Sequence, residues 1–218
     1  MKHLALFGGT FSPIHQGHIN MARALQEHFQ FDQFIFLPNK APVIDKLATA
    51  SSSDRLKMLQ LALAPYPLFK IDERELHRKT PSFMIETLLS LHKELGNSLT
   101  KITLIIGMDS FLQFHRWHDW KTLFTLCNLI VLKRPKCRID LPAPLREELA
   151  KGSIHAITDE KELTQTCGGF YYFDAGAYNF SSTTLRELIA AGQDVSNFIP
   201  PSVLDYIKDN ALFGYRKP

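Results

Sequence analysis

The most informative part of the sequence is a glycine-rich segment that reads Gly8-Gly9-Thr10-Phe11-Ser12-Pro13-Ile14-His15-Gln16-Gly17-His18. A short apolar run over residues 3–7 precedes it and predicts a buried strand. After it, from His18 to Phe29, apolar residues recur at helical spacing. A strand, a glycine-rich loop and a helix in this order indicate the first strand–helix unit of an α/β sheet.

The same loop carries a phosphate-binding pattern. Paired glycines after a strand allow the backbone to approach a ligand closely. His15 and His18 lie three residues apart and can reach one ligand at the start of the helix. That helix end offers free N–H groups and a positive dipole end, which suit phosphate. Glycines and a histidine in such a turn are also common for structural reasons alone, so the residue types by themselves leave both interpretations open.

Outside this stretch, apolar strands alternate with amphipathic helices. Strand patterns cover residues 34–37, 68–71, 102–106, 129–132 and 170–173. Helical spacing covers residues 51–64, 82–95, 182–191 and 203–208. Near-continuous apolar strands are typical of a parallel sheet buried on both faces. We therefore predict a Rossmann-like α/β fold, a parallel sheet with helices on both faces, in one domain over residues 1–218. Its ligands are expected at the carboxyl ends of the strands.

Composition narrows the class of protein. Of the 218 residues, 45% are hydrophobic and 22% are charged, which is ordinary for a globular chain. Cys127, Cys137 and Cys167 form no Cys-x-x-Cys pair, which favours a reducing, cytoplasmic compartment. The formal charge of +3 is mild and scattered, so no nucleic-acid surface is predicted. No apolar run approaches the ~20 residues of a membrane span, so no membrane partner is predicted.

The complete eleven-residue string closely resembles the Gly-Gly-Thr-Phe-Asp-Pro-x-His-x-Gly-His signature of the nucleotidyltransferase superfamily. The resemblance implies that His15 and His18 are catalytic. It also implies that this loop binds ATP through a set of loop residues: Gly8, Gly9, Thr10, Phe11 and Gly17. One position departs, because Ser12 stands where the superfamily usually carries Asp. Ser is expected to bond to nearby backbone as Asp would, though more weakly.

The chemistry of adenylyl transfer explains these residue types. A phosphate nucleophile is already ionised, so its attack on the α-phosphorus of ATP needs no general base. Negative charge on the α-phosphate and on the leaving pyrophosphate needs stabilisation instead. Imidazole N–H donors and Mg²⁺ can supply it. The Mg²⁺ is expected to arrive with ATP, held mainly by phosphates and water, so no protein metal site is predicted.

A second motif, Phe180-Ser181-Ser182-Thr183-Thr184-Leu185-Arg186, opens a predicted helix. Ser and Thr at such a place act by default as an N-cap. The motif also resembles the superfamily's Ile-Ser-Ser-Thr-x-x-Arg element, which holds the ATP phosphates. By this resemblance Ser181, Ser182 and Arg186 bind ATP, and Arg134 is a further nucleotide contact.

Three other segments resemble the bacterial nicotinate mononucleotide adenylyltransferases, and the resemblance covers residues 4 to about 213. The segments are Pro38-Asn39, Asp72 to Phe83 with Thr87-Leu88, and Gly107-Met108-Asp109-Ser110 with Trp117. The family makes deamido-NAD and pyrophosphate from ATP and nicotinate mononucleotide, which are therefore the expected partners. The implied substrate-binding residues are Asn39, Ser82, Phe83, Met84, Gly107, Asp109, Trp117 and His118.

The residues themselves agree with a pyridine pocket. Trp117 can offer an aromatic face to the ring. Four aromatic residues at a spacing of about three could also form a stripe in the core: Phe111, Phe114, Trp117 and Trp120. We prefer the core interpretation for Phe111, Phe114 and Trp120, and the ring-stacking interpretation for Trp117. Asp109 can bond a ribose or cap a loop. A helix starting near Ser82 offers N–H donors to a carboxylate. The family's usual Thr is replaced by Met84, and its Pro-Pro-His-Lys string by residues 42–45, Pro-Val-Ile-Asp.

Other functions share the first motif. They are phosphopantetheine adenylyl transfer, adenylyl transfer to nicotinamide mononucleotide, and nucleotide binding without catalysis. Phosphopantetheine enzymes are shorter and lack the Trp117 and Ser82-Phe83 features. Loss of catalysis is suggested only by Ser12 and the altered residues 42–45, while both histidines and Arg186 remain.

Overall fold

The computed structural model describes residues 2–40, 50–96, 100–133, 140–174, 176 and 181–216. Within these ranges the strands are β1 (Lys2–Gly9), β2 (Gln33–Pro38), β3 (Phe69–Ile71), β4 (Thr100–Gly107), β5 (Asn128–Leu132), β6 (His155–Ala156) and β7 (Gly169–Phe173). These described strands form one seven-stranded sheet in the order β3-β2-β1-β4-β5-β7-β6.

The pairings confirm the predicted parallel sheet. β1 runs parallel to β4, with Leu4 opposite Ile102 and Phe7 opposite Ile105. β4 runs parallel to β5, and β7 runs parallel to both β5 and β6. All five residues of β5 are buried, as expected for a strand whose apolar run is nearly continuous.

Helices connect and flank these strands. They are α1 (Gln16–Phe29), α2 (Ser52–Leu63), α3 (Met84–Leu95), α4 (Met108–Leu112), α5 (Trp120–Leu126), α6 (Ala143–Ala150), α7 (Glu162–Gln165), α8 (Ser182–Ala190) and α9 (Pro201–Asp209). Short 3₁₀ helices span Phe114–Arg116 and Leu212–Gly214. In the part of the chain that the structure describes, none of the helices has the length and apolar character needed to cross a bilayer.

Several boundaries differ from the sequence-based predictions. α1 begins two residues earlier than expected, at Gln16. α3 begins two residues later, at Met84, because Phe83 still has extended φ/ψ angles of −79° and 124° and serves as the N-cap. The predicted end of α3 is confirmed, since Gly96 follows it with a φ of 78°, a conformation that favours glycine.

The chain groups into two compact units. The first unit comprises Met1–Gly8, Gln30–Ile35 and Ser82–Ala177. The second unit comprises Gly9–Phe29, Phe36–Pro81 and Tyr178–Pro218. β1 and β2 each contribute residues to both units, because the divisions fall after Gly8 and after Ile35.

The strand order reverses between β1 and β4, and such a switch point is where open α/β sheets bind ligands, at the carboxyl ends of the strands. β1 ends at Gly9 and β4 ends at Gly107. A loop was expected at residues 107–109. Instead α4 follows β4 directly, with Gly107 as its N-cap.

Candidate active site

The first loop is shaped by a close approach at Gly9. Phe11 has a φ of 48°, in the left-handed region, and its ring lies 2.8 Å from where a Cβ on Gly9 would be. A Cβ on Gly8 would instead meet the Met84 Cε at an ordinary 3.6 Å. The group that comes close to Gly9 in this structure is the ring of Phe11, which is itself buried. The close approach of a ligand to the paired glycines stays a prediction.

His15 and His18 lie against each other, as their spacing predicts. Their rings stack with centroids 3.7 Å apart. The backbone N–H of His15 donates to Nδ1 of His18 over 3.3 Å. Because Nδ1 accepts this bond, the neutral His18 ring carries its proton on Nε2, which makes Nε2–H a donor. The Phe11 ring also contacts the His18 ring, in a T-shaped arrangement with centroids 5.2 Å apart.

Both histidines are neutral at pH 7. Burial lowers the pKa of His15, which is only 4% exposed, to about 4. Burial also lowers the pKa of His18 well below its usual value, and a charge on His15 would lower it further. Each ring therefore carries one N–H donor before a ligand binds. An anionic phosphate brought beside them would raise both pKa values and strengthen the bond that it accepts.

The start of α1 differs from the prediction in how its N–H groups are used. The N–H of Gln16 donates to the carbonyl of Phe198 over 2.8 Å, and the N–H of His18 donates to the carbonyl of His15 over 3.0 Å. Gly17 is buried in this first turn. The N–H groups of Gln16 and His18 are therefore already bonded within the protein, whereas the N–H of Gly17 has no acceptor among the described residues.

The second phosphate motif lies against the first. Ser182 Oγ donates to the carbonyl of Pro13 over 3.0 Å, and Arg186 Nη1 donates to the carbonyl of Ser12 over 2.8 Å. Ser181 is the N-cap of α8, and its Oγ accepts from the N–H of Thr184 over 3.2 Å. The capping interpretation of Ser181 is thus confirmed.

Arg186 keeps an unpaired charge in this arrangement. Its Nη2 donates to Thr183 Oγ1 over 3.2 Å, and no carboxylate of the described residues forms an ion pair with it. A cation whose present partners are one carbonyl and one hydroxyl suits an anionic ligand.

Ser12 corrects one expectation. Its side chain was expected to bond to nearby backbone in place of the usual Asp. Ser12 is 1% exposed, and its Oγ has no hydrogen-bond partner among the described residues. The backbone of Ser12 is engaged instead, through the carbonyl that accepts from Arg186.

Arg55 is the functional candidate that the sequence analysis missed. It lies on the buried face of α2 and donates to the carbonyl of Thr10 over 2.8 Å and to the carbonyl of Asn39 over 2.7 Å. Asn39 also donates from its own N–H to the carbonyl of Gly9 over 3.1 Å and from Nδ2 to Thr10 Oγ1 over 3.3 Å. The sequence pattern that could have revealed Arg55 is its helical spacing to Met58, Leu59 and Ala62, which places the arginine on the apolar face of α2.

In the first unit, the start of α3 provides open donors. Phe83 is the N-cap, without a side-chain capping bond, and its carbonyl accepts from Glu86 and Thr87. The N–H groups of Met84 and Ile85 donate to no acceptor among the described residues. The His118 ring packs on the Phe83 ring, with centroids 4.6 Å apart. The structure therefore brings His118 to the start of α3.

The remaining predicted pocket residues are partly exposed. Ser82, Phe83, Met84 and Trp117 are half-buried, while Gly107, Asp109 and His118 are exposed. Trp117 follows a 3₁₀ helix and rests on Phe114, with ring centroids 4.9 Å apart. Asp109 lies in the first turn of α4.

The aromatic stripe divides between core and surface. Phe111 and Phe114 are fully buried, as predicted for core residues. Trp120 was expected in the same core but is half-buried, and Lys121 Nζ lies 5.6 Å from the centre of its ring. Arg134 lies outside the described residues, and so do residues 42–45, where the sequence differs from the family's usual Pro-Pro-His-Lys.

Known proteins resemble this chain over most of its length. The family profile described as cytidylyltransferase-like matches residues 6–188. A relative from Legionella pneumophila (strain Corby), named "Probable nicotinate-nucleotide adenylyltransferase", is 42% identical over 98% of this chain and 100% of its own length. A relative of the same name from Serratia proteamaculans (strain 568) is 40% identical over 96% of this chain and 94% of its own.

Solved structures share the fold. A Plasmodium falciparum nicotinic acid mononucleotide adenylyltransferase complexed with NaAD is similar with a TM-score of 0.72 at 18% identity, covering 99% of both chains. The same enzyme complexed with APC is similar with a TM-score of 0.69 at 17% identity, again over 99% of both.

The fold, the two joined phosphate motifs and the profile match define a nucleotidyltransferase, and the chain belongs to the cytidylyltransferase-like family. Its relatives, which align over almost their whole length, place it among the nicotinate-nucleotide adenylyltransferases of that family.

Proposed function

We propose that this protein transfers the adenylyl group of ATP to nicotinate mononucleotide and forms deamido-NAD and pyrophosphate, a step of NAD biosynthesis. A phosphate oxygen of the acceptor forms a bond to the α-phosphorus, and the bond from that phosphorus to the oxygen of the leaving pyrophosphate breaks. The observation that carries the proposal is the junction of the two motifs. Ser182 and Arg186 donate to the carbonyl groups of Pro13 and Ser12, in the loop that also carries the two histidines.

Each group of the second unit has a role in this reaction. His18 Nε2–H and the ring N–H of His15 donate to oxygens of the α-phosphate as negative charge builds there. Arg186, together with Ser181 and Ser182 at the start of α8, binds the phosphates that leave as pyrophosphate. Gly9, Thr10, Phe11 and Gly17 belong to the loop proposed to hold the nucleotide. For Gly8 and Arg134, which belong to the first unit, the proposed contact with ATP rests on the resemblance alone.

A divalent metal used with the nucleotide fits these residues. The groups gathered in the second unit are hydrogen-bond donors and a cation, which suit phosphate oxygens, so an ion takes its ligands from the phosphates and water. In the described residues no three His, Cys, Asp or Glu side chains are grouped to hold an ion. We propose Mg²⁺, which neutralises phosphate charge when bound.

The first unit supplies the acceptor pocket. The open N–H groups of Met84 and Ile85 receive the nicotinate carboxylate, Trp117 offers a ring face, and His118 lies beside them on Phe83. Ser82, Gly107 and Asp109 of the first unit belong to this acceptor site. For Asn39, the proposal that it binds the acceptor rests on the resemblance alone. Since backbone groups are the donors, Met84 can replace the usual Thr without loss of the preference for an acid.

The proposal extends to the organisation and location of the chain. We infer one catalytic domain over residues 1–218, because strands of both units belong to one sheet. We also infer a cytoplasmic location, which the free thiols of Cys127 and Cys167 support.

The test is a product assay with three acceptors. The purified chain is incubated with ATP and MgCl₂, and with nicotinate mononucleotide, nicotinamide mononucleotide or phosphopantetheine, and the products are separated chromatographically. We expect kcat/KM for the acid to exceed that for the amide by tenfold to a few hundredfold, because an amide leaves buried N–H donors unpaired at about 1–3 kcal/mol each. Equal values would contradict this pocket, and no product from the acid would contradict the function.

A further inference from the structure

Arg55 is buried in a place where a charge is costly. It is 1% exposed and is the largest of the fully buried side chains in the described residues. Burial lowers the pKa of its guanidinium. No carboxylate of the described residues forms an ion pair with it. A buried ion is weak support for stability, since desolvation offsets most of what its contacts contribute.

The contacts of Arg55 are directed at two backbone segments. Nη1 donates to the carbonyl of Thr10, in the loop that follows β1. Nη2 donates to the carbonyls of Asn39 and Lys40, just after β2, over 2.7 and 2.8 Å, and to Ser52 Oγ over 3.1 Å. The planar guanidinium therefore links the two segments through donors whose separation is fixed.

We propose that Arg55 is a positioning residue, whose guanidinium sets the spacing between the nucleotide loop at Thr10 and the acceptor-binding segment at Asn39. This inference rests on the proposed function. Its burial prevents Arg55 from touching a ligand, so it acts through the two segments that it joins. Asn39 also bonds directly to Gly9 and to Thr10, and the guanidinium adds to these bonds a rigid set of donors whose separation is fixed.

The experiment compares Arg55→Lys with the wild type in the nicotinate mononucleotide assay. Lysine keeps the positive charge, but its single ammonium group replaces the two separated NH₂ groups of the guanidinium. It therefore cannot hold the carbonyl groups of Thr10 and Asn39 at their present separation. We expect kcat, per folded molecule, to fall by roughly 10- to 100-fold, because small misplacements of reacting groups are costly. KM for ATP and for the acceptor is expected to change by less than about threefold, since each ligand keeps its own contacts.

Tyr206→Phe is the matched control. The Tyr206 hydroxyl donates to Asp54 Oδ1 over 2.9 Å and so ties α9 to the residue next to Arg55, without contacting Thr10 or Asn39. This variant is expected to lower Tm but to keep the wild-type kcat. If Arg55→Lys also keeps wild-type kcat per folded molecule, or raises only a KM, the positioning role is wrong.

A second variant covers the case in which Arg55→Lys does not fold. Ser52→Ala removes the bond from Arg55 to Ser52 Oγ and the bond from Ser52 Oγ to the carbonyl of Lys40, and retains the guanidinium. A kcat lowered by about threefold or more at unchanged Tm would support the proposal, and an unchanged kcat would overturn it. Absence of product from the wild type itself would instead contradict the proposed function.

Discussion

At the scale of single residues, a backbone hydrogen bond selects the tautomer of His18. His18 offers Nε2–H because its Nδ1 accepts from the backbone of His15. Burial keeps both rings neutral, so neither requires a proton from solvent to act as a donor. The reaction itself needs no general base, so the neutral state is the useful one.

His18→Ala is expected to fold normally and to lose kcat by roughly 10²–10³, the scale for removing one transition-state donor. The measurement is steady-state kinetics with circular dichroism. His28→Ala, an exposed histidine in the same helix, is the control and should keep its activity. A His18→Ala variant with near-normal kcat would mean that the phosphate role of His18 is wrong.

Gly9→Ala is expected to lower the free energy of unfolding by about 1–3 kcal/mol, because its Cβ would lie 2.8 Å from the buried Phe11 ring and force it to move. Gly8→Ala is the matched control, since its Cβ would make an ordinary 3.6 Å contact. Urea unfolding of both variants measures the difference. Equal stabilities would show that the Phe11 ring does not require glycine at position 9.

At the scale of elements, α8 contacts the loop before α1 through its first turn and through Arg186. Ser181 caps the helix, and Arg186, one turn further on, reaches the loop before α1. The two motifs are 174 residues apart in sequence at the Arg186–Ser12 bond, so only the folded chain joins them.

Arg186→Ala is expected to raise Kd for ATP by tenfold or more, since a charge-assisted contact to phosphate contributes about 1.5–3 kcal/mol. Binding of nicotinate mononucleotide should stay nearly intact, because its donors lie at α3. Titrating the variant with each ligand separately makes the comparison, with Glu187→Ala, an exposed neighbour, as the control. Loss confined to the pyridine nucleotide, or equal for both ligands, would overturn the assignment.

At the scale of the whole molecule, three histidines whose pKa values are lowered by desolvation link folding to pH. Burial lowers the pKa of His3 and of His15 to about 4, and that of His18 well below its usual value. In the unfolded chain each titrates near 6.5. Between pH 6.5 and 4 the unfolded state therefore binds more protons, and stability falls as the pH falls.

The free energy of unfolding is thus expected to be highest above pH 6.5 and to decrease towards pH 4, with about 3 kcal/mol linked to each of His3 and His15. Urea unfolding at pH 7.5, 6.0 and 5.0 measures it. His3→Gln should reduce the slope by up to about 1.4 kcal/mol per pH unit, whereas His28→Gln, at an exposed position, should not. A stability that is flat from pH 7 to 5 would contradict the expected neutrality of these histidines.

Short elements were harder to predict than long ones. The apolar runs of β4 and β5 predicted their strands because burial on both faces leaves few polar positions. The helices α4 and α5, with five and seven residues, were missed because they are too short to show a helical period. β6, with two residues, has no recognisable pattern.

The sheet, the two motifs and the family could be predicted from the sequence, because the apolar run of a buried strand and a long motif each consist of consecutive residues. Three features required the folded chain: the Phe11 ring occupies the space beside Gly9, Ser12 Oγ has no partner among the described residues, and Arg55 points inward to bond to Thr10 and Asn39. Arginine is ordinarily exposed, and its burial depends on carbonyl groups up to 45 residues away in the chain. Packing between elements determines which groups become such partners, and local sequence patterns do not predict that packing.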